Sequence, residues 1–167
     1  MRLYIVRHAI ASPHGTPGVQ EDDRALTDEG VQKMREAAAG LRALDYIPEM
    51  VLSSPLLRAR QTAELLLEVF GKGIELKITH SLTPSGSRQE LYRELAIYDK
   101  KVKAVMLVGH QPSLGEIAGE IAWGSADHYV EFKKGGVCAI DLDSVRGIPK
   151  GKMVSLLTPS ILRKVAE

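Results

Sequence analysis

The sequence predicts an α/β fold: a three-layer sandwich with a mostly parallel central sheet flanked by helices. Short apolar runs alternate with segments of helical period along most of the chain, the pattern of strand and crossover helix. Two runs, Leu3-Tyr4-Ile5-Val6 and Val105-Met106-Leu107-Val108, are apolar throughout and read as strands buried on both faces. Two further strand-like runs, Val137 to Leu142 and Met153 to Leu157, are separated only by a Gly/Pro turn region, which predicts an antiparallel edge.

After the first strand, Ala9 to Asp23 is rich in Ser, Pro, Gly and acids and reads as a loop. Thr27 is an N-cap, and Asp28 and Glu29 put negative charge in a first turn, where the helix dipole favours it. Val31, Met34, Ala38, Leu41 and Leu44 then recur at helical spacing, predicting a helix from about 28 to 44. Met50-Val51-Leu52 is a second strand. Ser54-Pro55 stops it and opens a helix whose buried face is Leu56, Leu57, Ala63, Leu66, Leu67 and Phe70 and which Gly71 ends. Ile74 to Ile78 alternates apolar and charged residues, as a half-exposed strand does. Thr83 to Gly86 is a loop, and Ser87 caps a helix through about Tyr98. Val102 to Val108 is the fourth strand, and Gln111-Pro112-Ser113 opens a helix to about Ala122. No repeat, low-complexity tract or linker interrupts the chain, so a single domain over residues 1–167 is expected.

Composition removes several function classes. Lys plus Arg number 22 against 21 Asp plus Glu, a formal charge of +1, which gives no electrostatic case for nucleic acid or an anionic membrane. Anion recognition must then come from local placement of arginines. The single cysteine, Cys138, lies among Val137, Ala139 and Ile140 and reads as a buried, inert thiol in a reducing compartment. No secretory leader or membrane span is visible, so a cytoplasmic location is expected.

Chemistry is expected at the strand ends, where α/β sheets bind ligands. Arg7-His8 follows the first strand, Ser53-Ser54-Pro55-Leu56-Leu57-Arg58 the second, and Gly109-His110 the fourth. If these strands are parallel, two guanidiniums, two imidazoles and one or two helix N-termini meet on one rim. Arginine forks and backbone N–H groups at helix starts bind phosphate well. A neutral imidazole is a good nucleophile near pH 7, its unperturbed pKa being ~6.5. Arginines offset the charge that would repel it and stabilise the equatorial oxygens of the transition state. One histidine can then take the phosphoryl group while the other stabilises its oxygens, and water completes the reaction. No glycine-rich Walker loop is present, and no HxH, HExxH or CxxC spacing supports a metal site. His14, His80 and His128 read as loop or surface residues, and Arg60, two positions from Arg58, as a solvated side chain on another helix face.

The ordered set of motifs resembles the histidine phosphatase superfamily, the phosphoglycerate-mutase-like RHG branch, and within it the small SixA-type phosphohistidine phosphatases. The matching segments are Leu3 to Ala9, Arg24 to Gly30, Ser53 to Ala63, Leu82 to Gly86 and Val108 to Pro112. Each is weak alone; together and in order they are specific. The resemblance implies a phosphoglycerate-mutase-like fold and a metal-independent phosphatase with no cofactor. In it His8 is the phosphoryl-accepting nucleophile, Arg7 and Arg58 bind phosphate oxygens, and His110 completes the pocket. Arg24 matches a further arginine near the anion site of the SixA-like branch. Ala9 departs from the glycine that many members carry.

Larger members of the superfamily use an acidic side chain to protonate the leaving oxygen, and none stands between Thr83 and Ser87 here. The remaining candidates are Asp22 and Asp23 in the first loop and Glu90 at a helix start. A missing donor fits an imidazole leaving group, because the P–N bond of phosphohistidine is labile. Only one short helical excursion, about Ser81 to Lys101, separates the third and fourth strands, too little for a large lid over a small metabolite. Such a site suits phosphate displayed on a signalling protein. A small-molecule phosphomonoesterase or mutase of the same superfamily, or a noncatalytic phosphate-binding module, remains the alternative.

Overall fold

Side-chain alternation along the central strands divides the core in two. The computed structural model describes residues 1–167. Its strands are β1 (Arg2–Arg7), β2 (Met50–Ser53), β3 (Glu75–Ile78), β4 (Ala104–Gly109), β5 (Val137–Ser144) and β6 (Lys150–Leu157). Leu3 and Ile5 of β1, Leu52 of β2 and Val105 and Leu107 of β4 face one side. Tyr4, Val6, Val51, Met106 and Val108 face the other. Each face needs a cover, because a β-branched and leucine-rich surface left in water loses about 25 cal/mol per Å² of apolar area.

Helices provide the two covers. Against the first face pack α3 (Arg88–Ile97) through Leu91 and Leu95, and α4 (Ser113–Trp123) through Leu114, Ile117 and Ile121. Against the second pack α1 (Asp28–Ala43) through Met34, Ala38 and Leu41, α2 (Leu57–Phe70) through Ala59, Ala63 and Leu66, and α5 (Pro159–Val165) through Leu162. The result is the expected three-layer sandwich.

The sheet order is β3-β2-β4-β1-β5-β6. β3, β2, β4 and β1 are mutually parallel, and β5 and β6 form the antiparallel edge. β4 lies between β1 and β2, so the C-terminal ends of all three reach the same rim. No helix is long and apolar enough to cross a membrane.

Local chemistry accounts for the boundaries. Thr27 caps α1 by accepting from the Gly30 N–H, and Ser87 caps α3 by accepting from Glu90 N–H. α2 starts at Leu57, later than the Ser54-Pro55 start expected from sequence, because Leu56 keeps an extended backbone at φ −62°, ψ 134°. A residue preceding proline also avoids the helical region, which keeps Ser54 out of the helix. Two elements differ further from the sequence reading. β6 begins at Lys150 rather than Met153, and α5 was not anticipated; seven residues are too few for a helical period to register, although Thr158 caps it and Pro159 occupies its first turn.

Residues 124–136, between α4 and β5, contain no helix or strand but lie tightly on α4. A Cβ at Gly119 would stand 1.8 Å from the His128 carbonyl oxygen, so only glycine admits this approach. The segment forms a wall of the rim that no hydrophobic period announced.

Leu107, fully buried in the central strand, anchors the first core face and the approach to His110. Leu107→Ala is expected to lower unfolding free energy by about 3 kcal/mol, measured by urea denaturation, from lost transfer energy and the cavity left behind.

Candidate active site

Parallel register places the two histidines side by side. Arg7 of β1 pairs with Gly109 of β4, so the next residues are His8 and His110. The His8 N–H donates to the Gly109 carbonyl at 3.0 Å, and Ser54 N–H donates to the Val108 carbonyl at 3.0 Å, each carrying the ladder one step past its strand. The imidazole centroids lie 5.2 Å apart with planes tilted by 52°. Both rings are buried.

The tautomer of His8 follows from its partner. Its Nδ1 lies 2.7 Å from the Ala9 carbonyl oxygen, which can only accept, so Nδ1 carries the proton. Nε2 then holds a lone pair. It makes no hydrogen bond and is not among the buried unpartnered atoms, so it is the accessible edge of the ring. His110 is arranged the other way round. Its Nε2 is 2.8 Å from the Ser54 hydroxyl, which also accepts from Leu56 N–H at 3.3 Å. The hydroxyl proton has one acceptor available, His110 Nε2, and this leaves the His110 proton on Nδ1.

Arg7 and Arg58 are held by backbone carbonyls. Arg7 Nη1 donates to Phe132 O at 2.7 Å, and Arg58 Nη1 donates to Glu21 O at 2.9 Å. Thr62 ties the elements together: its hydroxyl accepts from Ala9 N–H at 3.0 Å and donates to the Arg58 carbonyl at 2.7 Å. Three buried polar atoms at this place have no partner: Arg7 Nε, Arg58 Nε and His110 Nδ1. All three are donors. A buried donor without an acceptor costs about 1–3 kcal/mol, so the cluster is built to receive an acceptor with several oxygens. A tetrahedral oxyanion fits that description.

Electrostatics keeps both imidazoles neutral. Burial pushes His8 down to about 4, opposed by its bond to Ala9 and assisted by the charges of Arg58, Arg7 and Lys134. Burial likewise pushes His110 down to about 3, with His8, Arg58, Arg24 and Arg7 adding to it. Burial also lowers both guanidiniums from their ordinary value, yet arginine stays charged in proteins.

Arg24 stands at the edge of the cluster. Its Nε and Nη2 donate to the Glu21 carboxylate at 2.9 and 2.7 Å, and its Nη1 donates to Ser12 O at 2.7 Å. Glu21 also lies 3.4 Å from Arg58 Nη2 and 2.6 Å from His14 Nδ1. The hydrogen bonds from Arg24 hold the Glu21 carboxyl well below the usual carboxylate range. Asp22 and Asp23 share the 3-10 turn Glu21–Asp23 and line a cleft of about 250 Å³ with Pro55, His80 and Thr83, next to the Ser54–Arg58 turn. Glu90 is exposed in the first turn of α3, and its carboxylate makes no hydrogen bond or ion pair with the cluster. His14, His80 and His128 are exposed. Cys138 is fully buried, which pushes its thiol up to about 12.

The structure thus gathers His8, His110, Arg7 and Arg58, sets Arg24, Asp22 and Asp23 around them, and leaves Glu90 apart. Sequence reasoning missed Ser54, Thr62, Glu21 and the Phe132 carbonyl as partners. Ser54 and Thr62 sit inside the segment Ser53 to Ala63, where their hydroxyls were the available signal; the acidic cluster Glu21-Asp22-Asp23, between two site motifs, reads from sequence as a solvated loop raised to a possible substrate contact, not as a partner of Arg24 and Arg58.

Comparisons with known proteins identify the family and the fold. Residues 3–83 match the family model of the Histidine phosphatase superfamily (branch 1). An uncharacterized protein of Picosynechococcus sp. is 37% identical over 147 residues, covering 87% of this chain and 88% of the relative. The chain belongs to the histidine phosphatase superfamily, and its fold is phosphoglycerate-mutase-like. Within the superfamily it is similar to the phosphohistidine phosphatase SixA of Escherichia coli, 27% identical over 144 residues and 86% of each chain. The structure of the protein histidine phosphatase SixA complexed with tungstate superposes with a TM-score of 0.84, at 26% identity, over 96% of this chain and 98% of that one.

Neutral imidazoles make a prediction about acid. By NMR, the ring nitrogens of His8 and His110 are expected to show no titration between pH 7.5 and 5.5, where an ordinary histidine with pKa ~6.5 would charge. Because the unfolded chain takes up these protons and the folded one does not, urea stability is expected to fall as pH drops below ~6.5 towards 4. A midpoint near 6.5 for either ring would contradict the burial account.

Proposed function

We propose that this phosphatase hydrolyses phosphohistidine displayed on a protein, through a covalent phosphohistidine intermediate on His8. The observation that carries the reading is the fixed tautomer of His8. With Nδ1–H given to the Ala9 carbonyl, the Nε2 lone pair is the nucleophile, and it faces the rim where Arg7 Nε, Arg58 Nε and His110 Nδ1 lack acceptors.

In the first step the Nε2 lone pair bonds to phosphorus as the substrate P–N bond breaks. The electron pair stays on the leaving imidazole, which takes its proton from water. Arg7, Arg58 and His110 donate to the phosphoryl oxygens throughout, and most strongly as charge spreads over them in the transition state. Water then attacks phosphorus, the P–Nε2 bond breaks, and inorganic phosphate leaves. The carboxylate nearest Arg58, Glu21, is kept ionised by Arg24 and is no acid at neutral pH. An imidazole leaving group needs no strong acid, whereas an alkoxide does.

Two further facts support this reading: the similarity to SixA over most of both chains, and that protein's complex with tungstate, a tetrahedral oxyanion like phosphate. A second reading rests on Asp22 and Asp23. A protonated carboxyl in the cleft beside the Ser54–Arg58 turn would serve hydrolysis of a small phosphate ester.

Phosphohistidine and phosphoserine peptides and p-nitrophenyl phosphate, assayed with EDTA present, test these readings. The wild type is expected to favour the phosphohistidine peptide over phosphoserine by ~100-fold or more in kcat/KM, and His8→Ala to lose ~1,000-fold or more. Equal rates on both peptides would support the ester reading. Activity surviving in His8→Ala would remove the covalent route, and no turnover of any substrate would leave a binding module.

A further inference from the structure

A second cavity adjoins the catalytic loop, and none of His8, His110, Arg7 and Arg58 lines it. It has a volume of about 250 Å³ and shares Ala9 with the catalytic loop. Ile10, Met34 and Pro159 give it an apolar wall. Four cationic side chains line it (Lys33, Lys133, Lys134 and Arg163), and no carboxylate does.

The charges around it are not all neutralised. Lys33 pairs with Glu29, and Arg163 lies 3.4 Å from Glu36. Lys133 and Lys134 have no carboxylate within ion-pair distance and are exposed. On a chain with a formal charge of +1, this is a local excess produced by placement. The turn that presents the two lysines is fixed to the site backbone. Gly135, at φ +77°, donates its N–H to the carbonyls of Arg7 and His8, both at 3.1 Å, and Arg7 N–H donates to Gly136 O at 3.1 Å. The backbone that carries the lysines is therefore held against the backbone of the nucleophile.

An apolar wall beneath unpaired ammonium groups suits an aspartate or glutamate side chain: the methylene stem lies on the wall, and the carboxylate meets the lysines. We propose that this cavity receives an acidic residue flanking the phosphorylated histidine of the substrate protein, and so selects among phosphoproteins. The inference rests on the phosphoprotein reading above. It adds a specificity site to it.

The test compares two phosphohistidine peptides that differ only in flanking residues, Asp and Glu in one, Asn and Gln in the other. p-Nitrophenyl phosphate serves as a substrate too small to reach the cavity. The wild type is expected to favour the acidic peptide by about tenfold in kcat/KM, carried by KM. Lys133→Glu is expected to abolish that preference while leaving p-nitrophenyl phosphate hydrolysis within about twofold. Lys72→Glu makes the same change of net charge in the loop between α2 and β3, at the opposite end of the sheet, and is expected to keep the preference. Equal wild-type rates on the two peptides, or a preference that survives Lys133→Glu, would overturn the cavity's role and leave the phosphohistidine reading standing. Hydrolysis of p-nitrophenyl phosphate with no turnover of either peptide would overturn both.

Discussion

The hydrogen-bonded register between β1 and β4 is the constraint on which the site depends. Pairing Arg7 with Gly109 puts His8 and His110 next to each other, and one further backbone bond, from His8 N–H to Gly109 O, holds them there. A slip by one residue would turn every side chain of β1 to the opposite face. Leu3 and Ile5 would leave one core and Tyr4 and Val6 the other. The two hydrophobic cores therefore enforce the same register that the chemistry needs. The energy holding the imidazoles together comes from apolar packing along the strands, not from contact between the rings.

Against that scaffold the site is kept short of partners. Arg7 and Arg58 each spend one N–H on a backbone carbonyl and leave Nε unpaired, and His110 Nδ1 is in the same position. An oxyanion in the pocket would satisfy all three donors together. Glu21 works in the opposite sense. It occupies Arg24 and partly shields Arg58 on the outer side, limiting the repulsion among the cations without entering the cluster.

Much of this was legible in the sequence because the deciding signals were local. Unbroken apolar runs marked β1 and β4, and what followed each run was a histidine; a parallel sheet does the rest. Thr27 and Ser87 announced two helix starts by their chemistry alone. The unread parts depended on tertiary contact. Ser54 orients His110 only because β2 lies beside β4, and Phe132 holds Arg7 only because residues 124–136 fold back over α4. That segment has no period of either kind, and its seating relies on an absent Cβ at Gly119. Arg24 illustrates the same limit from the other side. Its place near the anion site was expected, but its engagement by Glu21 required a 3-10 turn that a loop-like composition concealed.

The nitrogen that receives the phosphoryl group decides the mechanism. Rapid mixing with a phosphohistidine peptide, quenching in alkali and mapping the modified residue by mass spectrometry and 31P NMR would show it directly. Phosphate on Nε2 of His8 is the result predicted by the Ala9 hydrogen bond that occupies Nδ1. Phosphate on His110, or on Nδ1 of His8, would contradict it.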